Sequence, residues 1–288
     1  MVSDNTREGF LVKLDIRHGV NPFDFRSYDT GRLRNDFLIP RLFVPGEIRI
    51  TYSHIDRIIT GGACPTIPLP LECGKEIGTE FFLQRREMGI INVGAPGTVI
   101  ADGERFVLKK LDGLYLGAGN KSIVFESENN DDHAHFYFSS APAHTSHPNC
   151  YIDIEKAKKV KMGEPEKANV RTINQYIHPE VCSTCQLMMG LTQLENGSVW
   201  NTMPCHTHER RMEVYFYFDI PQDGVTFHIF GQPEETRHIV VRNEEAVINP
   251  SWSIHSAAGT SSYSFIWSMV GENQEFTDMD HVPMSVMK

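Results

Sequence analysis

The sequence predicts an all-β protein, two β-sandwiches or barrels with few short helices. Three observations lead there. Apolar residues recur mostly with period two in short runs, as they do when alternate side chains face a core. Turn-forming residues break these runs at short intervals, with 22 Gly and 16 Pro among 288 residues, the punctuation of a sandwich or barrel. The strand pattern lapses once near the middle and then resumes, so two similar β-rich halves suggest a duplication.

In chain order, residues 35–42 hold a short helix ahead of the first strand. Ile48, Ile50 and Tyr52 alternate with Arg49, Thr51 and Ser53. Residues 98–101, the turn Asp102-Gly103 and residues 104–108 form a hairpin, and a second strand-turn unit follows at Asp112-Gly113. Residues 153–167 are charged, poor in aromatics and closed by Gly163 and Pro165, so they read as a connector carrying one short helix. The boundary placed there divides the chain into an N-terminal barrel, residues 1–160, and a C-terminal barrel, residues 161–288. Strands then resume over 186–193, 199–203, 213–218, 226–230, 237–241, 246–248 and 262–269, with turns at Asn196-Gly197 and Asp223-Gly224. The segment after Phe276 reads as a polar tail packed on a barrel, without a motif. Phe82-Leu-Gln-Arg-Arg-Glu87 weakly echoes His206-Thr-His-Glu-Arg-Arg-Met-Glu213, which supports the duplication.

Composition excludes several functions. With 27 Lys and Arg against 37 Asp and Glu the formal charge is −10, and no clustered basic surface is visible for phosphate contacts, so nucleic acid is not the partner. No window approaches the ~20 apolar residues of a membrane span, and acids stand where a secretory leader carries basic residues. A soluble cytoplasmic protein is expected, with no membrane contact. The six Cys are expected as reduced thiols; Cys182-Ser-Thr-Cys185 has redox or zinc spacing but lacks a second pair and a βαβ context, so no role is assigned to it.

The chemistry concentrates in histidine, of which there are 13. In Pro204-Cys-His206-Thr-His208-Glu-Arg-Arg-Met-Glu213, His206 and His208 stand at i and i+2 and project from one face of a strand. A turn at Glu209-Arg210-Arg211 would return Glu213 on the neighbouring strand, giving three ligands from one hairpin. Pro250-Ser-Trp-Ser-Ile-His255 offers a fourth. Three imidazoles and a carboxylate suit zinc, iron, manganese or nickel, so the donor set does not choose the metal. A rival group, Asp131, Asp132, His133 and His135 with His144 and His147 beyond, has acids before its His pair and no returning carboxylate; it reads as a solvated turn. His18, His178 and His281 lie in polar segments without a role. His228 sits on an apolar strand as a satisfied core histidine, and Cys205 points away from the ligand face.

Longer strings carry a resemblance. Tyr52-Ser-His-Ile-Asp-Arg-Ile-Ile59, Arg171-Thr-Ile-Asn174, the run from Asn201 through the His pair to Phe218, Gly231-Gln-Pro233 with Glu235-Thr-Arg-His-Ile239, and Pro250 to His255 together closely resemble the 5-keto-4-deoxyuronate isomerase family of the cupin superfamily, over residues 31–282. The resemblance implies a bicupin whose N-terminal barrel lacks metal ligands and whose C-terminal barrel holds one zinc per chain, on His206, His208, Glu213 and His255. Trp252 departs from the general cupin pattern, which has Gly there, and leaves the Pro-to-His spacing intact. The implied reaction is an aldose–ketose isomerisation, an intramolecular oxidoreduction interconverting 5-dehydro-4-deoxy-D-glucuronate and 3-deoxy-D-glycero-2,5-hexodiulosonate in pectin breakdown, by a homo-oligomer, a hexamer. Base candidates are Glu209, His238 and either Tyr215 or Tyr217; Arg57, Arg211 and Arg237 are the candidates to hold the substrate carboxylate. An iron or nickel dioxygenase and a non-catalytic sugar-binding cupin are the competing readings.

Overall fold

The structure, a computed structural model, describes residues 12–129 and 131–288; the start of the chain, on which the leader reading rests, lies outside them. Four sheets and a two-stranded ribbon carry the fold. In the first half a seven-stranded sheet runs, in spatial order, Val12–Arg17, Ile48–Ser53, Ile59–Ala63, Phe136–Pro142, Arg86–Asn92, Gly113–Leu116 and Cys150–Ile152; the partner sheet is Leu69–Pro70, Ile123–Ser127, Gly97–Ala101 and Glu104–Leu108. In the second half the large sheet is Lys158–Met162, Arg171–Ile177, Met188–Leu194, Ser264–Gly271, Arg211–Phe218, Glu245–Asn249 and Leu38–Ile39, and the small one is Trp200–Asn201, Ile254–Gly259, Thr226–Gln232 and Glu235–Val241. The central strands of the two halves occur in the same order, so the duplication read from the turn pattern is present in the pairing. The expected hairpin closes with both Asp102 and Gly103 at positive φ, 48° and 88°, as a tight two-residue turn requires.

One apolar cluster fills each barrel and a third lies between them, where the large sheets pack back to back. Tyr137 of the first barrel stacks on Phe216 of the second at 4.5 Å. A Cβ on Gly89 would come within 2.3 Å of Ile177 Cδ1, so the sheets approach closely there. This burial on both faces explains why Arg86–Asn92 and Arg211–Phe218 are buried along their whole length and show no clean alternation. Glu87, fully buried at this seam, accepts hydrogen bonds from the amides of Cys185, Gln186 and Leu187 at 2.7, 2.8 and 2.8 Å and from the Tyr115 hydroxyl at 2.8 Å. The last residue of the C-x-x-C segment and the two that follow thus bind a carboxylate through their amides, and Cys182 is a free, part-buried thiol whose pKa burial pushes up to about 12.

Three segments differ from expectation. The helix is Thr30–Phe37 rather than 35–42: the Asp29 side chain caps it by accepting from the Arg32 amide at 2.7 Å, and Leu38–Ile39 leave it to pair as a strand with Val247 and Ala246. The connector holds a strand, Lys158–Met162, paired with Arg171–Ile177, and a 3₁₀ turn, Pro165–Lys167. A boundary at residue 160 therefore falls within the second large sheet, and Phe25 of a short helix, Pro22–Phe25, packs with Leu33 and Phe37 in the second barrel's core. The tail after Phe276 forms a strand, Asp280–His281, paired with His206–Thr207, so it belongs to the site described next.

Candidate metal centre

His206, His208, Glu213 and His255 meet inside the second barrel. His206 lies on the short ribbon strand opposite His281, and His208 follows just beyond. Glu213 lies on Arg211–Phe218, between Met269 and Asn249, and His255 on Ile254–Gly259 of the small sheet. The expected hairpin is absent, since the strand of His206 pairs with the tail and that of Glu213 with its own sheet neighbours. Arg211 explains this. Placed in the expected polar turn, it is instead 1% exposed and donates to the carbonyls of Glu275, Phe276 and Asp278 at 2.6, 3.2 and 3.1 Å.

His206 Nε2 is 3.1 Å from the Nε2 atoms of both His208 and His255. Glu213 Oε2 lies 2.9 Å from His255 Nε2 and 3.4 Å from His208 Nε2. All four ligand atoms fall within 4.8 Å of one another, and among the described residues this is the His, Cys, Asp and Glu group that could hold a metal ion. The donor chemistry fits one. His208 Nδ1 faces the Asp278 carbonyl at 2.8 Å, which only an N–H can satisfy. A neutral ring protonated there directs the bare lone pair of Nε2 at the other two imidazoles, and a cation turns that mutual repulsion into coordination. Burial and the neighbouring His255 and His208 push the pKa of His206 down to about 2, which keeps its ring neutral. Burial opposes charge on Glu213 as well, but the surrounding imidazoles, His255 at 2.9 Å foremost, outweigh it and hold the carboxyl below its usual range.

A cavity of about 420 Å³ opens over this group, within the size of small-molecule sites, roughly 300–1,000 Å³. Its apolar wall includes Phe265, Trp267, Met269 and Phe276, and Tyr215 lines it with its hydroxyl 3.0 Å from Thr202 Oγ1. Thr277, Met279 and His281 of the tail also line it.

Of the remaining expected residues, none lines this cavity. Glu209 and His238 are exposed. Tyr217 is buried behind the site, its hydroxyl 2.6 Å from His228 Nδ1, and His228 Nε2 is 2.7 Å from Asn249 Oδ1, the satisfied core histidine expected. Arg57 is exposed on a left-handed turn, and Arg237 pairs with Glu235 at 2.7 Å. The cavity's arginine is Arg171, which opens the string Arg171-Thr-Ile-Asn174 but has no role legible in the sequence; no spacing links it to the histidines, because the link is tertiary. In the rival group, His135 Nδ1 pairs with Glu244 at 2.7 Å and its ring stacks on Phe43. Cys205 is a buried thiol 3.5 Å from Met287 Sδ.

A family model described as the KduI/IolB family matches residues 38–284. The chain belongs to the KduI/IolB family. Within it, the chain is 54% identical over 280 residues to the 4-deoxy-L-threo-5-hexosulose-uronate ketol-isomerase of Lachnospira eligens and 51% identical over 276 residues to that of Caldicellulosiruptor bescii, covering in each case 96% of this chain and 100% of the relative. It is a ketol-isomerase, an intramolecular oxidoreductase. The fold is the bicupin expected: an IolB-like protein from Salmonella typhimurium LT2 superposes with a TM-score of 0.64 at 14% identity over 78% of this chain and 86% of that one, and the Lactobacillus farciminis oxalate decarboxylase with 0.54 at 10% identity over 79% of each. No helix among the described residues is long and apolar enough to cross a membrane.

Proposed function

We propose that this family member is a zinc-dependent isomerase interconverting 5-dehydro-4-deoxy-D-glucuronate and 3-deoxy-D-glycero-2,5-hexodiulosonate, acting in pectin and uronate breakdown in the cytoplasm as a homo-oligomer, a hexamer. One observation carries the reading: three imidazoles and a carboxylate converge at the base of a cavity sized for a small sugar acid. The names of the relatives supply the substrate class. His206, His208, Glu213 and His255 would hold the zinc, which when bound supplies Lewis-acid charge that acidifies the C–H beside a carbonyl.

The isomerisation moves a proton from a hydroxyl-bearing carbon to the neighbouring carbonyl carbon, with no net oxidation. The chain's residues serve that transfer. Burial, with the Glu213 charge nearby, raises the Tyr215 pKa far above its usual range, so its hydroxyl stays a donor that can steady a developing oxyanion. His281, paired through its backbone with His206, is the cavity's imidazole outside the ligand group and takes the base role expected of Glu209 or His238. The apolar wall of Phe265, Trp267 and Phe276 excludes water from the reacting carbons. The test is to mix purified protein with the keto-deoxyuronate released by a pectate lyase and follow products by NMR alongside an oxygen electrode. Conversion without oxygen uptake is expected. Uptake of oxygen by an iron-loaded sample, or tight uronate binding without conversion, would overturn the reading.

A further inference from the structure

An anionic substrate needs a cation that is not already spent. The cavity is lined by one guanidinium, that of Arg171. Its Nη1 donates to the Asn169 carbonyl at 2.8 Å, and among the described residues no carboxylate pairs with it. The other arginines considered for this role stand elsewhere: Arg211 is held by the carbonyls of the tail, Arg237 pairs with Glu235, and Arg57 is exposed on a turn away from the cavity. The contact to Asn169 also fixes the guanidinium's placement, because Asn169 Nδ2 in turn holds the Met203 carbonyl in the loop entering His206. Burial disfavours the charge on Arg171, so an anion brought to its free edge is favoured by the same half-buried setting.

Position matters as much as charge. Arg171 lies on Arg171–Ile177, two strands removed from the strand of Glu213, with Met188–Leu194 and Ser264–Gly271 between. Glu213 of the metal group and Arg171 therefore face the cavity from separate strands of one sheet, while His206 comes from the ribbon and His255 from the small sheet. A substrate with its reacting carbons at one end and a carboxylate at the other suits a cavity that places the metal group and the cation on different strands. A fork next to the metal would instead draw the carboxylate onto the ion.

We infer that Arg171 is the carboxylate anchor of the cavity, gripping the acid end of an acyclic uronate while the carbonyl end lies at the His206, His208, Glu213 and His255 group. The inference rests on the proposed isomerase reading for the substrate, and on the cavity's geometry for the anchor. It also predicts that a neutral aldose of the same length is a poor ligand.

The test uses metal-loaded wild type, Arg171→Met and Arg171→Lys. Arg171→Met is expected to raise KM for the keto-deoxyuronate about 10- to 100-fold, the loss of a charge-assisted hydrogen-bonded pair, with kcat changed far less and metal content unchanged. Arg171→Lys should recover part of the loss. A KM for Arg171→Met within twofold of wild type overturns the anchor, as does a loss confined to kcat or metal content. If wild type fails to turn the uronate over, the proposed function fails separately. The anchor is then read from D-gluconate, which has no carbonyl to isomerise: its binding should weaken at least tenfold in Arg171→Met while that of neutral D-glucitol stays the same, and equal gluconate binding overturns it.

Discussion

Replacing Arg211 with Met should cost both stability and metal affinity, although the side chain makes no hydrogen bond to a metal ligand. The guanidinium is buried and donates to three carbonyls of the tail, Glu275, Phe276 and Asp278. Charge-assisted bonds contribute about 1.5–3 kcal/mol each, but the three share one loop and the freed carbonyls rehydrate as it opens, so a loss of about 3–4 kcal/mol is expected rather than their sum. The consequence at the site runs through Asp278, whose carbonyl receives His208 Nδ1 at 2.8 Å. Losing an outer partner of a ligating histidine typically weakens metal binding about 10- to 100-fold. Competition with a chromophoric chelator measures that affinity, and thermal unfolding of the metal-free protein measures the stability. Arg210→Ala is the control: Arg210 pairs with the Asp278 carboxylate from an exposed position, and its removal should leave both the unfolding midpoint and zinc affinity close to wild type. Arg211→Met protein that binds zinc within twofold of wild type would refute the chain of reasoning from Arg211 through the tail to His208.

Glu244→Gln should destabilise the protein in a pH-dependent way. Burial opposes the charge on His135, but its contacts with Cys64 and Glu244 prevail and raise its pKa to about 9. A raised folded-state value means the stabilisation is complete below the unfolded pKa of about 6.5 and fades as pH climbs to 9. Discounted for partial exposure, the wild-type advantage should be on the order of 1–2 kcal/mol in urea unfolding at pH 6 and vanish above pH 9; a difference that grows with pH would contradict the pairing. Glu87→Ala strands three amides and a hydroxyl at the barrel seam and should cost about 3–5 kcal/mol, seen as a lowered denaturant midpoint; an unchanged midpoint would show that the seam does not depend on this carboxylate. Tyr217→Phe removes the partner of His228 Nδ1 and should cost about 1–3 kcal/mol while zinc content stays at the wild-type value, since Tyr217 stands behind the cavity and not in it.

Local signals carried much of this architecture. Asp102-Gly103 demands positive φ at both positions, and the hairpin it predicts is the one found. His206 and His208 share a face because they are two residues apart, and spacing alone selected the four residues that now converge. Features made by contacts distant in sequence stayed hidden. The helix was placed late because Phe37, Leu38 and Ile39 form one apolar run; Phe37 ends the helix while Leu38 and Ile39 belong to a strand whose partner is over two hundred residues away. The tail looked featureless because its polar residues act through backbone carbonyls, which no side-chain pattern reveals. Nothing in sequence distance marks Arg171 over Arg57, Arg211 or Arg237, because strand order sets which cation reaches the cavity.

The central claim is that His206, His208, Glu213 and His255 bind a zinc ion on which isomerisation depends. Elemental analysis and turnover of the keto-deoxyuronate, measured on one sample before chelation, after chelation and after adding zinc back, tests it most directly, with His255→Ala alongside. About one zinc per chain is expected, with loss of activity on chelation, recovery with zinc, and neither metal nor turnover in His255→Ala. Full turnover by metal-free protein would contradict it.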